Sequence, residues 1–219
     1  DNGYKLLFSH PEMVRDLLTG FVHEPWVAEL DFATLEKVSG SYVADDLRDR
    51  EDDIVWRVRF NKERWLYVYL LLEFQSTVDD FMVVRLLTYL GLLYQDIIKH
   101  KAFTPGGKLP PVLPLVLYNG VSRWNAAQEV GELIEPLPGR LQDYAPRLKY
   151  LLLDEGVVDE SSALALQNLA AALFRLEKSR TPQDMVQAVA ALVDWLQASE
   201  QTGIRRAFAV WIRRVLLPS

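Results

Sequence analysis

The chain of 219 residues is half hydrophobic, carries a net charge of −6 and contains no cysteine. That length buries one large core or a domain with a smaller appendage, and the missing cysteine excludes thiolate zinc sites, disulfides and cysteine nucleophiles. The acidic balance argues against a protein that simply coats nucleic acid, although a bound divalent cation brings its own positive field to a phosphate-handling site.

In chain order, Ser9-His10-Pro11 predicts a helix running to about Phe21, with proline at the first helical position. The stretch 22–45 is mixed and predicts no element, and the charged run 45–52 reads as a solvated approach to a strand. Residues 53–60 alternate with period two, the polar run 61–64 supplies a turn, and 65–75 reads as a buried strand. A long helix is expected over 79–100; with Arg85 as its single charge between Asp80 and Asp96, it should be buried on several sides.

Residues 112–118 predict a buried strand whose Pro114 suggests an edge or a bulge, ended by an Asn119-Gly120 turn. A helix is expected at 126–135 and a last strand at 148–153. From Ser161 onward the pattern is helical: one segment to Lys178, a second from Pro182 to Ala198 with Thr181 as N-cap, and a third from Gly203 to Leu217. The third puts Ile204, Phe208, Trp211, Ile212 and Val215 on one side and Arg205, Arg206, Arg213 and Arg214 on the other. The expected organisation is a domain over 1–155 followed by a helical region over 156–219.

No run of about 20 apolar residues is present to span a bilayer. No membrane engagement is expected, and a cytoplasmic setting is the default. The three histidines, His10, His23 and His100, are scattered and lack helical zinc spacing, so each reads as a surface or core-edge residue.

Folding the chain about 61–64 so that Phe60 faces Leu66 also sets Val58 against Val68, Trp56 against Leu70 and Ile54 against Leu72. Every pair on that face is apolar, and a one-residue slip would spoil it, so the pattern selects the register. The same register sets Asp53 beside Glu73, where like charges repel and call for compensation, most simply by a divalent cation. The plain alternative is a pair of solvated strand-end acids with Arg57, Arg59 or Arg85 as ion-pair partners.

A hairpin bearing two acids, then a long helix, then another strand is the core order of the PD-(D/E)XK nuclease architecture, an α/β (α+β) fold with a mixed sheet flanked by helices. Its chemistry uses a hard cation on oxygen ligands to activate water against a phosphodiester. Asp53 and Glu73 are the candidate ligands, with the backbone carbonyl of Phe74 as a third. The motif's lysine position holds Gln75, whose amide can orient water but cannot act as a base or carry charge.

The opening Asp1–Glu12, the segment Leu47–Val58, the run Leu70–Ser76 with Met82, Arg85 and Tyr89, and the run Pro114–Gly120 with Trp124 together resemble the Rpn family of recombination-promoting nucleases, also called YhgA-like putative transposases. The resemblance covers most of residues 1–155. It implies a PD-(D/E)XK fold, a divalent-metal-dependent DNA endonuclease activity and a bacterial cytoplasmic setting. The family's D and E-x-Q motifs fall on Asp53, Glu73 and Gln75, which makes the glutamine a family trait.

Secondary candidates are Lys5, which would approach a phosphate and replace the charge missing at Gln75, and Arg85 with Tyr89, one turn apart on a single helix face. Arg206 and Arg213 on the last helix are candidates for DNA phosphates. The resulting expectation is a DNA endonuclease promoting recombination, using Mg2+, Mn2+ or Ca2+, with DNA as partner and room for a homo-oligomer. The alternative is a weak or inactive nuclease-fold protein that binds DNA or a protein.

Overall fold

The computed structural model describes residues 2–38, 54–60, 66–136, 138–161, 163, 167–198 and 201–216, with the backbone alone for 2 and 66–73. The chain divides into two units, Ala33–Gly156 and a second made of Asp1–Phe32 with Val157–Ser219. The architecture is mixed α/β with helices at the C-terminal end.

Five strands lie side by side in chain order: β1 (Leu30–Lys37), β2 (Ile54–Phe60), β3 (Leu66–Gln75), β4 (Val112–Tyr118) and β5 (Leu151–Asp154). β1 occupies the stretch in which periodicity predicts no element. Among the described residues it pairs on one flank only, and with Asp31, Glu36 and Lys37 along it there is no sustained apolar alternation. The Val38 N–H reaches the Val55 carbonyl, the Arg57 guanidinium pairs with Glu36 at 2.7 Å, and the Arg59 N–H donates to Thr34 Oγ1 at 3.0 Å. These contacts run in opposite order along the two strands, so β1 is antiparallel to β2.

β2 and β3 pair antiparallel in the expected register, Phe60 with Leu66, Val58 with Val68, Trp56 with Leu70 and Ile54 with Leu72. Ile54, Trp56 and Val58 are each at most 3% exposed, which is the burial that penalises a slip. β3 then pairs parallel with β4, and β4 parallel with β5. Pro114 is tolerated because pairing with β5 starts only at Leu115, leaving the proline on the part of β4 with one neighbour.

A parallel β3–β4 pair needs a crossover, and helix α3 (Met82–Lys99) supplies it. Burial on several sides is not what this helix shows. Met82, Val83, Leu86, Tyr89, Leu93 and Ile97 are buried at helical spacing, while Val84 and Ile98 on the opposite stripe are 41% and 51% exposed. The inner stripe packs on Val116, Val130 and Tyr150, with Val55, Val112 and Trp124 partly buried against it.

The helix expected over 126–135 is only a 3-10 turn at Val130–Leu133. Here the backbone bonds across the chain instead: the Val130 N–H donates to the Leu148 carbonyl, and that of Tyr150 to the Gln128 carbonyl, about an isolated bridge between Glu129 and Lys149. A tertiary pairing has overridden local helix propensity.

In the second unit, α1 (Asn2–Leu7) contacts α6 (Thr202–Trp211), α2 (Pro11–Phe21) contacts α4 (Leu169–Lys178), and α4 contacts α5 (Pro182–Trp195). α5 is capped as its sequence predicts, the Thr181 side chain accepting the Asp184 N–H. α1 approaches α6 closely at Gly3, where an added Cβ would lie 2.8 Å from the Trp211 ring. Beyond α6 the chain widens into a π-helical turn, Ile212–Leu216. That change of period explains why Val215, expected on the packed side, is 45% exposed. Among the described residues no helix is long and apolar enough to cross a membrane.

Candidate functional site

Beyond Leu72, β3 continues through Glu73, Phe74 and Gln75 beside Val116, Leu117 and Tyr118 of β4. Successive carbonyls along a strand point to opposite edges. The Gln75 carbonyl accepts the Asn119 N–H at 3.0 Å, so it faces β4. The Phe74 carbonyl is therefore directed towards the β2 side, where the described pairing ends at Ile54–Leu72. One step further in that register would set Asp53 beside Glu73. Asp53 and the Glu73 side chain lie outside the described residues.

Phe74 is 4% exposed, and Gln75 stands on the opposite sheet face, partly buried beside its partner Tyr118. Tyr118 is buried with its hydroxyl donating to the Ser122 carbonyl at 2.6 Å, and its ring meets Trp124 edge-on at 5.0 Å. The Asn119-Gly120 turn lies tight on this strand end. A Cβ at Gly120 would fall 2.5 Å from the Ser76 carbonyl oxygen and would overlap the Tyr118 ring.

Trp124 extends the wall by donating its indole N–H to the Tyr150 hydroxyl at 3.0 Å, while that hydroxyl donates to the Ala127 carbonyl at 3.1 Å. Burial pushes the Tyr150 phenol up to about 12; the Trp124 hydrogen bond opposes the shift, and the negative charges of Glu132 and Asp79 add to it. Burial likewise raises Tyr94, whose hydroxyl donates to the Pro110 carbonyl.

Arg85 and Tyr89 do share a face of α3, with the guanidinium 6.0 Å from the ring centroid and one nitrogen 3.4 Å from the phenol oxygen. The carboxylate described beside Arg85 is that of Asp79, at 2.8 Å. Asp79 also accepts the Phe81 N–H at 2.9 Å, so it organises the entry to α3 as well as the cation. Sequence reasoning passed over Asp79. Its signal is an aspartate just upstream of a helix start, the usual place for a side chain that takes up orphan N–H groups.

Lys5, Arg206 and Arg213 belong to the other unit. Lys5 is partly buried on α1, and its carbonyl accepts the Ser9 hydroxyl. Arg206 and Arg213 are exposed, Arg206 on α6 and Arg213 on the π-helical turn.

Oxygen ligands of the kind expected from Asp53, Glu73 and the Phe74 carbonyl suit Mg2+, Mn2+ or Ca2+ rather than soft metals, and of those three groups only the Phe74 carbonyl is among the described atoms. Among the described residues, which exclude Asp53 and the Glu73 side chain, no three His, Asp or Glu side chains come together to hold a metal.

A family model described as putative transposase, YhgA-like, matches residues 1–206. The chain is 32% identical over 118 residues to the recombination-promoting nuclease RpnA of Escherichia coli (strain K12), covering 54% of this chain and 39% of that protein. It is 34% identical over 119 residues to the recombination-promoting nuclease RpnD of Escherichia coli O157:H7, covering 53% and 44%. The inactive recombination-promoting nuclease-like protein RpnE of Escherichia coli (strain K12) is 29% identical over 122 residues, covering 55% and 38%. The chain thus spans less than half the length of each of these relatives. No solved structure matches it.

Proposed function

The chain belongs to the family of YhgA-like putative transposases, and on that premise we propose that it is a DNA-binding protein built on a PD-(D/E)XK core whose cleavage is weak or absent. The observation that carries this reading is a relative named inactive, RpnE, and it is compatible with the family trait Gln75, at the end of β3 where the general motif has lysine. Its amide hydrogen-bonds but neither accepts a proton at neutral pH nor offsets charge developing on a phosphate. The strand order supports the core assignment: an antiparallel meander, a crossover helix, then a parallel fourth strand. The name of RpnE supports the absence of cleavage and says nothing of DNA binding.

A second reading is favoured by the β2–β3 register and by the relatives named nucleases. In it the protein is a divalent-metal-dependent DNA endonuclease that promotes recombination. Asp53, Glu73 and the Phe74 backbone carbonyl would hold the cation, which supplies charge neutralisation on the phosphate and eases deprotonation of water. Gln75 would orient that water by hydrogen bonding, and Arg85 of the same unit would contribute the positive charge that glutamine lacks.

The deciding experiment incubates purified protein with supercoiled, linear and single-stranded DNA in Mg2+ and in Mn2+, alongside Glu73→Ala. Binding with cleavage no faster than in Glu73→Ala supports the first reading. Metal-dependent cleavage that falls by orders of magnitude in Glu73→Ala, and less in Gln75→Ala, establishes the second. No DNA binding by parent protein in any form overturns both.

A further inference from the structure

The outer stripe of α3 is spaced like a helix-docking seam. Val84, Thr88, Gly91, Gln95 and Ile98 recur at alternating intervals of four and three, and all are exposed. Gly91 sits at the middle of an 18-residue helix, where glycine weakens the helix, and among the described residues an added Cβ there meets nothing within 4 Å. Packing among the described residues therefore does not demand glycine at this position. Close approach by another helix would.

The stripe is also symmetric about that glycine. Val84 and Ile98, 41% and 51% exposed, are equidistant from Gly91 along the chain. Two copies of α3 crossing antiparallel at their Gly91 residues would set Val84 of one against Ile98 of the other, twice. Charge follows the same symmetry: exposed Asp80 precedes the helix, while exposed Lys99 and Lys101 lie at and beyond its end. The antiparallel arrangement brings the acidic end of each copy to the basic end of the other and aligns the helix dipoles favourably, whereas a parallel one would oppose like charges. A two-fold interface requires a patch complementary to itself, and this stripe meets that requirement in shape, apolarity and charge.

We propose that the exposed stripe of α3, centred on Gly91, is the docking surface for a second copy of this chain, forming an antiparallel two-fold dimer. The contact is a single helix crossing flanked by ion pairs, so the dimer is weak and sensitive to concentration and salt. The inference does not depend on whether the protein cleaves DNA.

Sedimentation velocity of the full chain over a wide concentration range tests it. The parent should pass from monomer to dimer as concentration rises, and Gly91→Arg, whose side chain enters open space in the monomer, should stay monomeric with an unchanged circular dichroism spectrum. Lys99→Glu with Lys101→Glu should weaken association at least several-fold, and adding Asp80→Lys in the same chain should restore it, since each interface contains both ends. A parent that is monomeric throughout, or a folded Gly91→Arg that dimerises like the parent, overturns the proposal. If Gly91→Arg fails to fold, the charge reversal decides: loss without recovery in the combined variant, or no loss at all, overturns it.

Discussion

Arg85 on α3 reaches the carboxylate of Asp79 at 2.8 Å, and the same carboxylate accepts the Phe81 N–H at 2.9 Å. One acidic side chain thus takes the N–H of Phe81, the residue before the crossover helix, and holds the cation beside Tyr89. Side chains of the pair are 31% and 26% exposed, so solvent screens the charge component and the hydrogen bond to the Phe81 N–H dominates. Asp79→Ala should destabilise the protein by about 1 kcal/mol in urea unfolding, and Asp79→Asn, which keeps an acceptor, by clearly less. Equal losses in the two variants would show that the charge dominates.

Asp16, by contrast, is buried, 6% exposed between α2 and α4. Its carboxylate accepts the Leu169 N–H at 2.7 Å and pairs with Arg15 at 2.8 Å, while its carbonyl takes the Asn168 side-chain amide at 2.6 Å. A carboxylate at the first turn of α4 is favoured by the helix dipole as well as by the bond. Asp16→Ala leaves a buried N–H without its acceptor, and it should cost about 2–3 kcal/mol by denaturant midpoint. A loss below ~0.5 kcal/mol, the level of an ordinary surface substitution, would contradict this account.

Tyr150 predicts an alkaline limb. Its phenol is pushed up to about 12 in the folded protein, while an unfolded tyrosine titrates near 10. The folded state therefore retains a proton that the unfolded state releases, and stability from this group is complete below about pH 10 and is lost as pH rises towards 12. Tyr150→Phe should flatten that part of the stability profile. It also removes the acceptor for Trp124 and the donor to Ala127, so it should cost about 1–3 kcal/mol at neutral pH.

Arg206 and Arg213 are solvent-facing. If DNA phosphates are bound there, neutralising both to alanine should weaken binding to all sequences and reduce the slope of log affinity against log salt by about 1–2. An unchanged slope would assign these residues to the solvated side of the helix and nothing more.

What the sequence determined by itself is whatever rests on local periodicity. The β2–β3 register follows from an apolar face that one slip would expose, and α2, β4 and the Thr181-capped α5 follow from proline positions, an apolar run and a side-chain cap. The candidate triplet Asp53, Glu73 and Gln75 is an expectation from the same short-range alternation and pairing, and Asp53 and the Glu73 side chain lie outside the described residues. What only tertiary structure decided involves partners distant in the chain. Strand β1 exists because β2 offers it a ladder, not because its own residues alternate. The segment at Val130 fails to become a helix because its backbone bonds to 148–150, and α3 turns out buried on one stripe because the sheet lies on one side of it. Asp79 and Tyr150 acquire their roles the same way: a carboxylate or phenol becomes structural only when folding removes water and supplies a specific partner, and neither event leaves a periodic trace in the sequence.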